Sequence, residues 1–483
     1  MEVLKNLIDG KWIVSSGTNP ISDVNPADTR DVIAQIQPAT EEHAREAVEA
    51  AHRAFPKWKR VAAPQRGHYL FKIAEKLEAR QDELAKLIVR EEGKTLADAR
   101  KEVGYAVNVF RFYAGEAARL NGSIVASDSP DIQIQVVREP LGVVLVVTPW
   151  NYPLSTPAWK IAPALAAGNT VVYKPSSDTP LVGVRLLEIM QECGIPDGVM
   201  NGIIGPGRLV EGMIKHPAVK AVTFTGSNPV GRLIYSAASD DMKRVQLEMG
   251  GKNPLLVLDD ANLDEAAKLA VLGGFGQTGQ ACTATGKVIV QSSVLPQFTE
   301  KLVEKTKQIK VGNPMEQGTD IGPQANAGEL ESTLTLIRGA LAQGAVLLAG
   351  GDVPDTPETA HGYFVNPTVL GNVTPAMDIA KEEVFGPVLC IMEAATVDEA
   401  IQIANQTEYG LSAAVCTNSL DRMAKCMQEI EAGVVKVNMT TTGTSYQAPF
   451  GGFKSSSSGI YKELGREGIE FYCRTKTGYI KSR

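Results

Sequence analysis

Cysteine is sparse and unpatterned in this chain: six residues in 483 (Cys193, Cys282, Cys390, Cys416, Cys426 and Cys473), none in C-x-x-C spacing. That argues against both a disulfide framework and a structural zinc site. The five histidines (His43, His52, His68, His216 and His361) form no H-E-x-x-H or paired-ligand pattern, so no metal is expected. Long apolar runs are missing as well. The best, 141–147, is strand-sized and far short of a bilayer. Met1-Glu2-Val3-Leu4-Lys5 lacks the layout of a secretory signal, so a cytoplasmic location is expected. There is no basic excess: the net charge is −7, with no basic stripe to suit a nucleic acid. The dinucleotide fingerprint G-x-G-x-x-G is also absent.

What is present is ordinary globular composition, 44% hydrophobic and 21% charged, in a chain too long for one core. Residues 40–118 read as helical, with apolar residues at three- and four-residue spacing over 41–54 and 64–95. Residues 119–140 alternate polar and apolar as an exposed hairpin would. From 141 short β-rich runs (141–147, 170–173, 199–204, 221–224 and 244–248) alternate with helical segments near 156–167, 180–193, 208–215 and 230–239. A second such series has strands at 287–291, 346–348, 388–392, 412–416 and 434–437, with helices at 295–309, 327–344, 397–405 and 420–432. Alternation of this kind is the mark of parallel sheets with crossover helices, so an α/β fold is expected in two halves that meet near residue 250. The tail, 468–480, returns to β character and is expected to pair with the 119–140 hairpin, within or between subunits.

The chemistry-bearing residues fall at turns. In Gly279-Gln280-Ala281-Cys282-Thr283-Ala284 a cysteine sits among small and polar neighbours, suited either to a nucleophile on a loop or to inert packing. Thr148-Pro149-Trp150-Asn151 follows a strand, and a side-chain amide held there can donate to a developing oxyanion. Lys174-Pro175-Ser176-Ser177-Asp178-Thr179 stands between strand and helix, with an N-cap cluster and a lysine that could reach a ribose or phosphate. Thr225-Gly226-Ser227 opens another helix as a phosphate cradle would, and Gly205-Pro206-Gly207 offers a second close approach. Glu248 ends an apolar strand before Gly250-Gly251, where burial would raise its pKa toward that of a general base.

Taken together, Trp150-Asn151, Lys174, Gly226-Ser227, Leu247-Glu248-Met249-Gly250-Gly251, Gly279-Gln280-Ala281-Cys282 and Glu383-Val384-Phe385-Gly386-Pro387 resemble the NAD(P)-dependent aldehyde dehydrogenase superfamily. The resemblance runs from about residue 7 to the C-terminus. Within it, Gln280–Thr285, 247–254 and 447–452 look most like the α-ketoglutaric semialdehyde dehydrogenases. The resemblance implies a Rossmann-type cofactor domain (1–118 and 141–251), an α/β catalytic domain (252–450) and a small β oligomerisation arm (119–140 and 466–483) joining a homodimer or homotetramer. Cys282 would attack the aldehyde, with the Asn151 amide and the Cys282 N–H on the oxyanion. Glu248 would activate the water that hydrolyses the resulting thioester, and Lys160 would support the active-site loop. Glu383 would hold the nicotinamide ribose with Phe385 beside the ring, Lys174 the adenosine ribose, Ser227 the pyrophosphate. Thr148, Pro149, Trp150, Ser176, Ser177, Gly207, Thr225, Gly226 and Gly250 complete the implied cofactor wall, and Tyr105, Tyr152, Trp159 and Phe450 the aldehyde tunnel.

Two departures stand out. Ser177 replaces a glutamate found in many NAD-preferring members, which removes a repulsion toward a 2′-phosphate, so NADP is expected to be favoured with NAD still used. The 455–465 segment is longer than the family's usual stretch and has Ile460 where arginine is frequent; no catalytic role is expected there. Trp159 stands where succinic semialdehyde dehydrogenases carry an anchoring arginine, leaving Arg111 and Gln447 as substitutes to consider. A CoA-acylating enzyme has no need of Glu248, and a non-catalytic protein of the same fold would be marked by loss of Cys282, Glu248 or Asn151.

Overall fold

The computed structural model describes residues 2–481. Its first seven-stranded sheet runs in the order Arg244–Glu248, Val219–Thr225, Val143–Val147, Thr170–Lys174, Met200–Gly202, Asn6–Ile8, Lys11–Ile13. The first five strands are parallel and the two N-terminal strands close the edge in antiparallel fashion. Val143-Val144-Leu145-Val146-Val147 shows why. All five are buried, as expected of a strand covered on both faces. Val144 and Val146 pack in one cluster with the helices Ala63–Ala79, Leu96–Ala117 and Ser155–Ala167. Val143, Leu145 and Val147 pack on the other face, in a cluster with Glu41–Trp58 and Leu209–Lys215.

The second sheet has the order Val346–Ala349, Thr368–Gly371, Val388–Ala394, Thr285–Gln291, Asn253–Val257, Ser412–Cys416, Val434–Val437. Period-two burial again splits its strands between two clusters: Leu256, Ile289 and Val415 on one face, Leu255, Val257 and Val288 on the other. A third, three-stranded sheet pairs Cys473–Lys481 along its whole length with Ile132–Pro140, which also holds Ser123–Val125. The tail therefore pairs with the hairpin within one chain.

Several elements depart from the sequence expectation. The 64–95 stretch breaks at Arg80 into Ala63–Ala79 and Gln81–Glu92. Thr179 makes no side-chain cap for Pro180–Glu192; the buried Glu91 carboxylate accepts the Leu181 and Val182 N–H groups instead. The strand Asn253–Val257 and the helix Leu263–Phe275, absent from the expectation, carry the chain from the first sheet into the second. The order in which strands are added reverses between Val143–Val147 and Val219–Thr225, the kind of switch point where open α/β sheets receive ligands. Thr148, Lys174, Thr225 and Glu248 all stand at carboxyl ends of this sheet.

Candidate active site

Cys282 lies between Leu263–Phe275 and Thr285–Gln291 on a loop that starts with three left-handed residues: Gln277 (φ 52°), Thr278 (φ 58°) and Gly279 (φ 70°). A Cβ on Gly279 would stand 2.2 Å from the Gly386 carbonyl oxygen, so only glycine fits this crossing of two motifs. The loop is fastened at many points. Asn253 Nδ2 donates to the carbonyls of Cys282 (2.9 Å) and Ala284 (2.8 Å), Thr441 Oγ1 donates to that of Thr283 (2.7 Å), and Thr278 Oγ1 to that of Gly322 (3.1 Å). Gln280 bridges outward, accepting from Ala325 N at 2.9 Å. Burial raises the Cys282 thiol pKa, and the carboxyl groups of Glu383, Glu248 and Glu463 raise it further. A thiol so placed stays protonated at neutral pH and needs a base to become a nucleophile.

Asn151 is 4% exposed and its Nδ2 donates to the Gln280 carbonyl (2.9 Å), so the amide reaches the Cys282 loop directly. Beneath it lies a buried charge cluster. Lys94 Nζ donates to Glu102 Oε2 and to the Asn151 carbonyl, both at 2.7 Å, and lies 4.4 Å from the Tyr152 ring centroid. Glu102 Oε1 accepts from Leu154 N (2.9 Å) and Ser155 N (3.1 Å), which fixes the other end of the same turn. Burial lowers the Lys94 pKa, but Glu102 and Glu92 outweigh it and hold the ammonium above its ordinary value. Glu92, buried beside them, is pushed up to about 8 by desolvation.

Glu248 is 2% exposed. Its Oε1 accepts from Ser457 Oγ at 3.2 Å, and its Oε2 has no protein partner. Gly451 makes room for it: a Cβ there would come 2.6 Å from Glu248 Oε1. Lys160 Nζ donates to Glu463 and to Thr223 Oγ1 (3.0 Å). Burial holds the Glu248 pKa well above the usual carboxylate range; Glu463 raises it further, while Lys160 and Lys462 pull it back. A carboxyl held in this way takes up a proton more readily than an exposed one, as a general base must.

Most of the residues expected to hold a dinucleotide line the carboxyl ends of the first sheet, while Glu383 and Phe385 come from the loop before Val388–Ala394 of the second. Ser227 begins the helix Asn228–Ser239 but places no side-chain cap on it, and Thr225 Oγ1 and Asn228 Oδ1 are buried without protein partners. Uncapped first-turn N–H groups with unpartnered polar atoms beside them suit a pyrophosphate. A Cβ on Gly226 would stand 2.5 Å from the Phe224 ring, whereas Gly207 opens onto free space. Lys174 Nζ donates to Pro175 O (2.9 Å) and burial lowers its pKa to about 8. Ser177 Oγ donates to Gly205 O (3.1 Å) and Ser176 Oγ to Asp178 (3.2 Å). Thr148 N donates to Lys174 O (3.3 Å), tying the first two strand-end turns together. The Trp150 and Phe385 rings meet edge-on at 5.3 Å, next to Pro149. Glu383 Oε1 accepts from Gly251 N (3.0 Å), and a Cβ on Gly250 would collide with its carboxylate at 1.8 Å. These residues fit the cofactor that the motifs implied.

Aromatic rings gather around Trp159. Trp159 lies 6.0 Å from Tyr105 and 5.5 Å from Phe450, and Tyr446 adjoins Tyr105 at 6.1 Å. Tyr105 Oη shares a hydrogen bond with Thr444 Oγ1 (3.0 Å), and the Trp159 indole N–H is buried without a partner. Arg111 does not join them, being paired with Glu78, and Gln447 is exposed.

Residues 12–478 match the aldehyde dehydrogenase family. The chain belongs to that family. Among its relatives, an α-ketoglutaric semialdehyde dehydrogenase of Bacillus subtilis is 42% identical over 99% of this chain and 98% of its own length. An α-ketoglutarate semialdehyde dehydrogenase of Haloferax volcanii is 44% identical, covering 98% of each chain. Betaine aldehyde dehydrogenase of Staphylococcus aureus, solved with NAD+, superposes with a TM-score of 0.96 at 37% identity over 98% of this chain and 94% of that one. A 3,6-anhydro-L-galactose dehydrogenase solved with NADP also gives a TM-score of 0.96 at 37% identity, covering 99% of this chain and all of that one. This aldehyde dehydrogenase thus has the expected α/β fold, and its family uses NAD or NADP.

Lys94, Glu102, Asn253, Glu463, Ser457 and Lys462 did not emerge from the sequence as site residues. One signal was there to be read. Glu102 lies on the apolar stripe of its helix between Ala99, Val103 and Ala106, all buried, where an unpaired carboxylate is not tolerated.

Proposed function

We propose that this aldehyde dehydrogenase oxidises α-ketoglutaric semialdehyde, or a closely related acidic semialdehyde, to the free acid, with NADP favoured and NAD also used. The observation that carries the hydrolytic reading is Glu248: a buried carboxyl, near enough to raise the pKa of the Cys282 thiol, with one oxygen unclaimed by protein. The identity to two semialdehyde dehydrogenases supports the substrate class. The half-buried Ser177, with no carboxylate of its own, supports NADP.

Cys282 gives its proton to Glu248 as Sγ bonds to the aldehyde carbon. The Asn151 amide and the Cys282 N–H take the oxyanion, each donor worth about 3–4 kcal/mol in comparable sites. Trp150, Phe385 and Glu383 would hold the nicotinamide, which would supply the hydride acceptor. Once Glu248 has released the thiol's proton, water attacks the thioester left on Cys282 and passes its own proton to that carboxylate. A thioester resolved by CoA would have no need of a base that activates water.

The divisions 1–118 with 141–251, 252–450, and 119–140 with 466–483 serve as cofactor unit, catalytic unit and subunit-joining arm. The exposed Ile124, Val125, Val137, Tyr479 and Ile480 on the arm support a homodimer or homotetramer. A cytoplasmic setting suits six free cysteines. The test is initial-rate formation of NADPH and NADH without CoA from α-ketoglutaric semialdehyde, succinic semialdehyde, glyceraldehyde and benzaldehyde, with Cys282→Ser as blank. CoA-independent reduction led by the first aldehyde upholds the reading; reduction only with CoA overturns it.

A further inference from the structure

The sequence assigns no catalytic role to the 455–465 segment, yet its serine run 455–458 wraps the base. Met249 N donates to Ser456 O (2.8 Å), Ser456 Oγ donates to Gly250 O (2.7 Å) and accepts from Gly410 N (3.0 Å), and Glu248 and Ser457 pair as an isolated antiparallel bridge. The turn that ends the Glu248 strand is therefore clamped immediately after the carboxylate. Within the clamp, Ser457 Oγ is the only hydrogen-bond donor recorded for the Glu248 carboxylate among the described residues. Lys462 turns its Nζ away to the carbonyls of Gly451 (2.7 Å) and Gly452 (3.2 Å). Lys160 spends its own on Glu463 and Thr223. We propose that Ser457 is a positioning residue for the general base, its hydroxyl holding the Glu248 carboxylate in the space left by the missing Cβ of Gly451.

The inference rests on the reading of Glu248 as the deacylating base. The charged and titratable groups facing Glu248 are Glu463, Lys160 and Lys462, with the Cys282 thiol across the cleft. Burial and Glu463 favour its protonated form, whereas Lys160, Lys462 and the Ser457 hydroxyl favour the ionised form. A hydroxyl that donates to the carboxylate stabilises the proton-accepting state. Without it the carboxyl protonates at higher pH, and the acid limb of deacylation moves up.

The probe is p-nitrophenyl acetate, which needs no cofactor. Cys282 Sγ takes the acetyl group as p-nitrophenolate leaves, and water then releases acetate while its proton goes to Glu248. Ser457→Ala is expected to keep the first-turnover burst of nitrophenolate, which reports an intact, folded nucleophile. Its steady-state acid limb is expected to move upward by roughly half a pH unit to one unit, the span of one ordinary hydrogen bond. Ser457→Thr, which keeps the hydroxyl, should retain the wild-type limb. Ser458→Ala, from the adjacent serine whose Oγ has no partner, should superpose on wild type. A Ser457→Ala profile that superposes on wild type, or an equal shift in Ser458→Ala, overturns the proposal. Glu248→Gln separates the two levels: steady turnover at the wild-type rate removes the base itself, whereas its loss beside an unshifted Ser457→Ala removes only the role of Ser457.

Discussion

Lys94→Met removes a charge that never meets solvent, and its consequences can be worked from four contacts. Lys94 Nζ is bonded at 2.7 Å to both Glu102 and the Asn151 carbonyl, and the side chains of Lys94 and Glu102 are fully buried. Methionine fills the volume but donates nothing. Breaking one side of a buried pair costs about 3–5 kcal/mol. Glu102 still accepts from Leu154 N and Ser155 N, which favours the lower end, about 3 kcal/mol. The Asn151 carbonyl, left without its donor, adds about 1–3 kcal/mol if no water reaches it. The same turn carries the Asn151 amide, and an ångström of misplacement costs about a hundredfold in rate. The expected result is a lower urea midpoint together with a large fall in single-turnover hydride transfer. Lys101→Met is the comparison, since Lys101 makes an exposed bridge to Asp98 on the same helix and should change little. Wild-type single-turnover rate and an unmoved midpoint in Lys94→Met would refute the argument that this cluster positions Asn151.

Other consequences can be measured as directly. Gly279→Ala faces a left-handed backbone cost of about 1–2 kcal/mol and a collision with the Gly386 carbonyl, so iodoacetamide should alkylate Cys282 at a changed rate and turnover should fall at least tenfold. Glu92 has a folded pKa raised from 4.5 to about 8, so its contribution to stability is full below about 4.5 and is lost as pH rises toward about 8. Glu92→Gln should accordingly gain thermal stability over wild type progressively across that window, and a difference independent of pH would count against it. Ser177→Glu should raise KM for NADP at least tenfold while leaving that for NAD within about threefold, as expected if a carboxylate there repels the 2′-phosphate.

Much of the fold was legible because its physics is local. Runs such as 143–147 are apolar throughout, as expected of a strand buried on both faces, and the glycine-bearing turns at their ends marked the candidate site. Cys282 stood out because its neighbours are small, and Glu248 because it ends an apolar strand. The less legible features are those that arise across distance. Ser457 reaches Glu248 over 209 positions, and Lys160 reaches Glu463 over 303, so neither partner marks the other in sequence. The helix break at Arg80 involves no glycine or proline, and its periodicity ran straight through. The N-terminal strands Asn6–Ile8 and Lys11–Ile13 are three residues each, too short for alternation to show.

The central claim is that a thioester forms on Cys282 and is resolved by water through Glu248. Glu248→Gln, mixed with α-ketoglutaric semialdehyde and NADP without CoA and quenched in acid, tests it in one step by mass spectrometry of the Cys282 peptide alongside NADPH absorbance. The account predicts that NADPH forms slowly, because the thiol has lost its proton acceptor, and stops close to one per active site with the acyl group retained on Cys282. Sustained turnover with an unmodified Cys282 would contradict it.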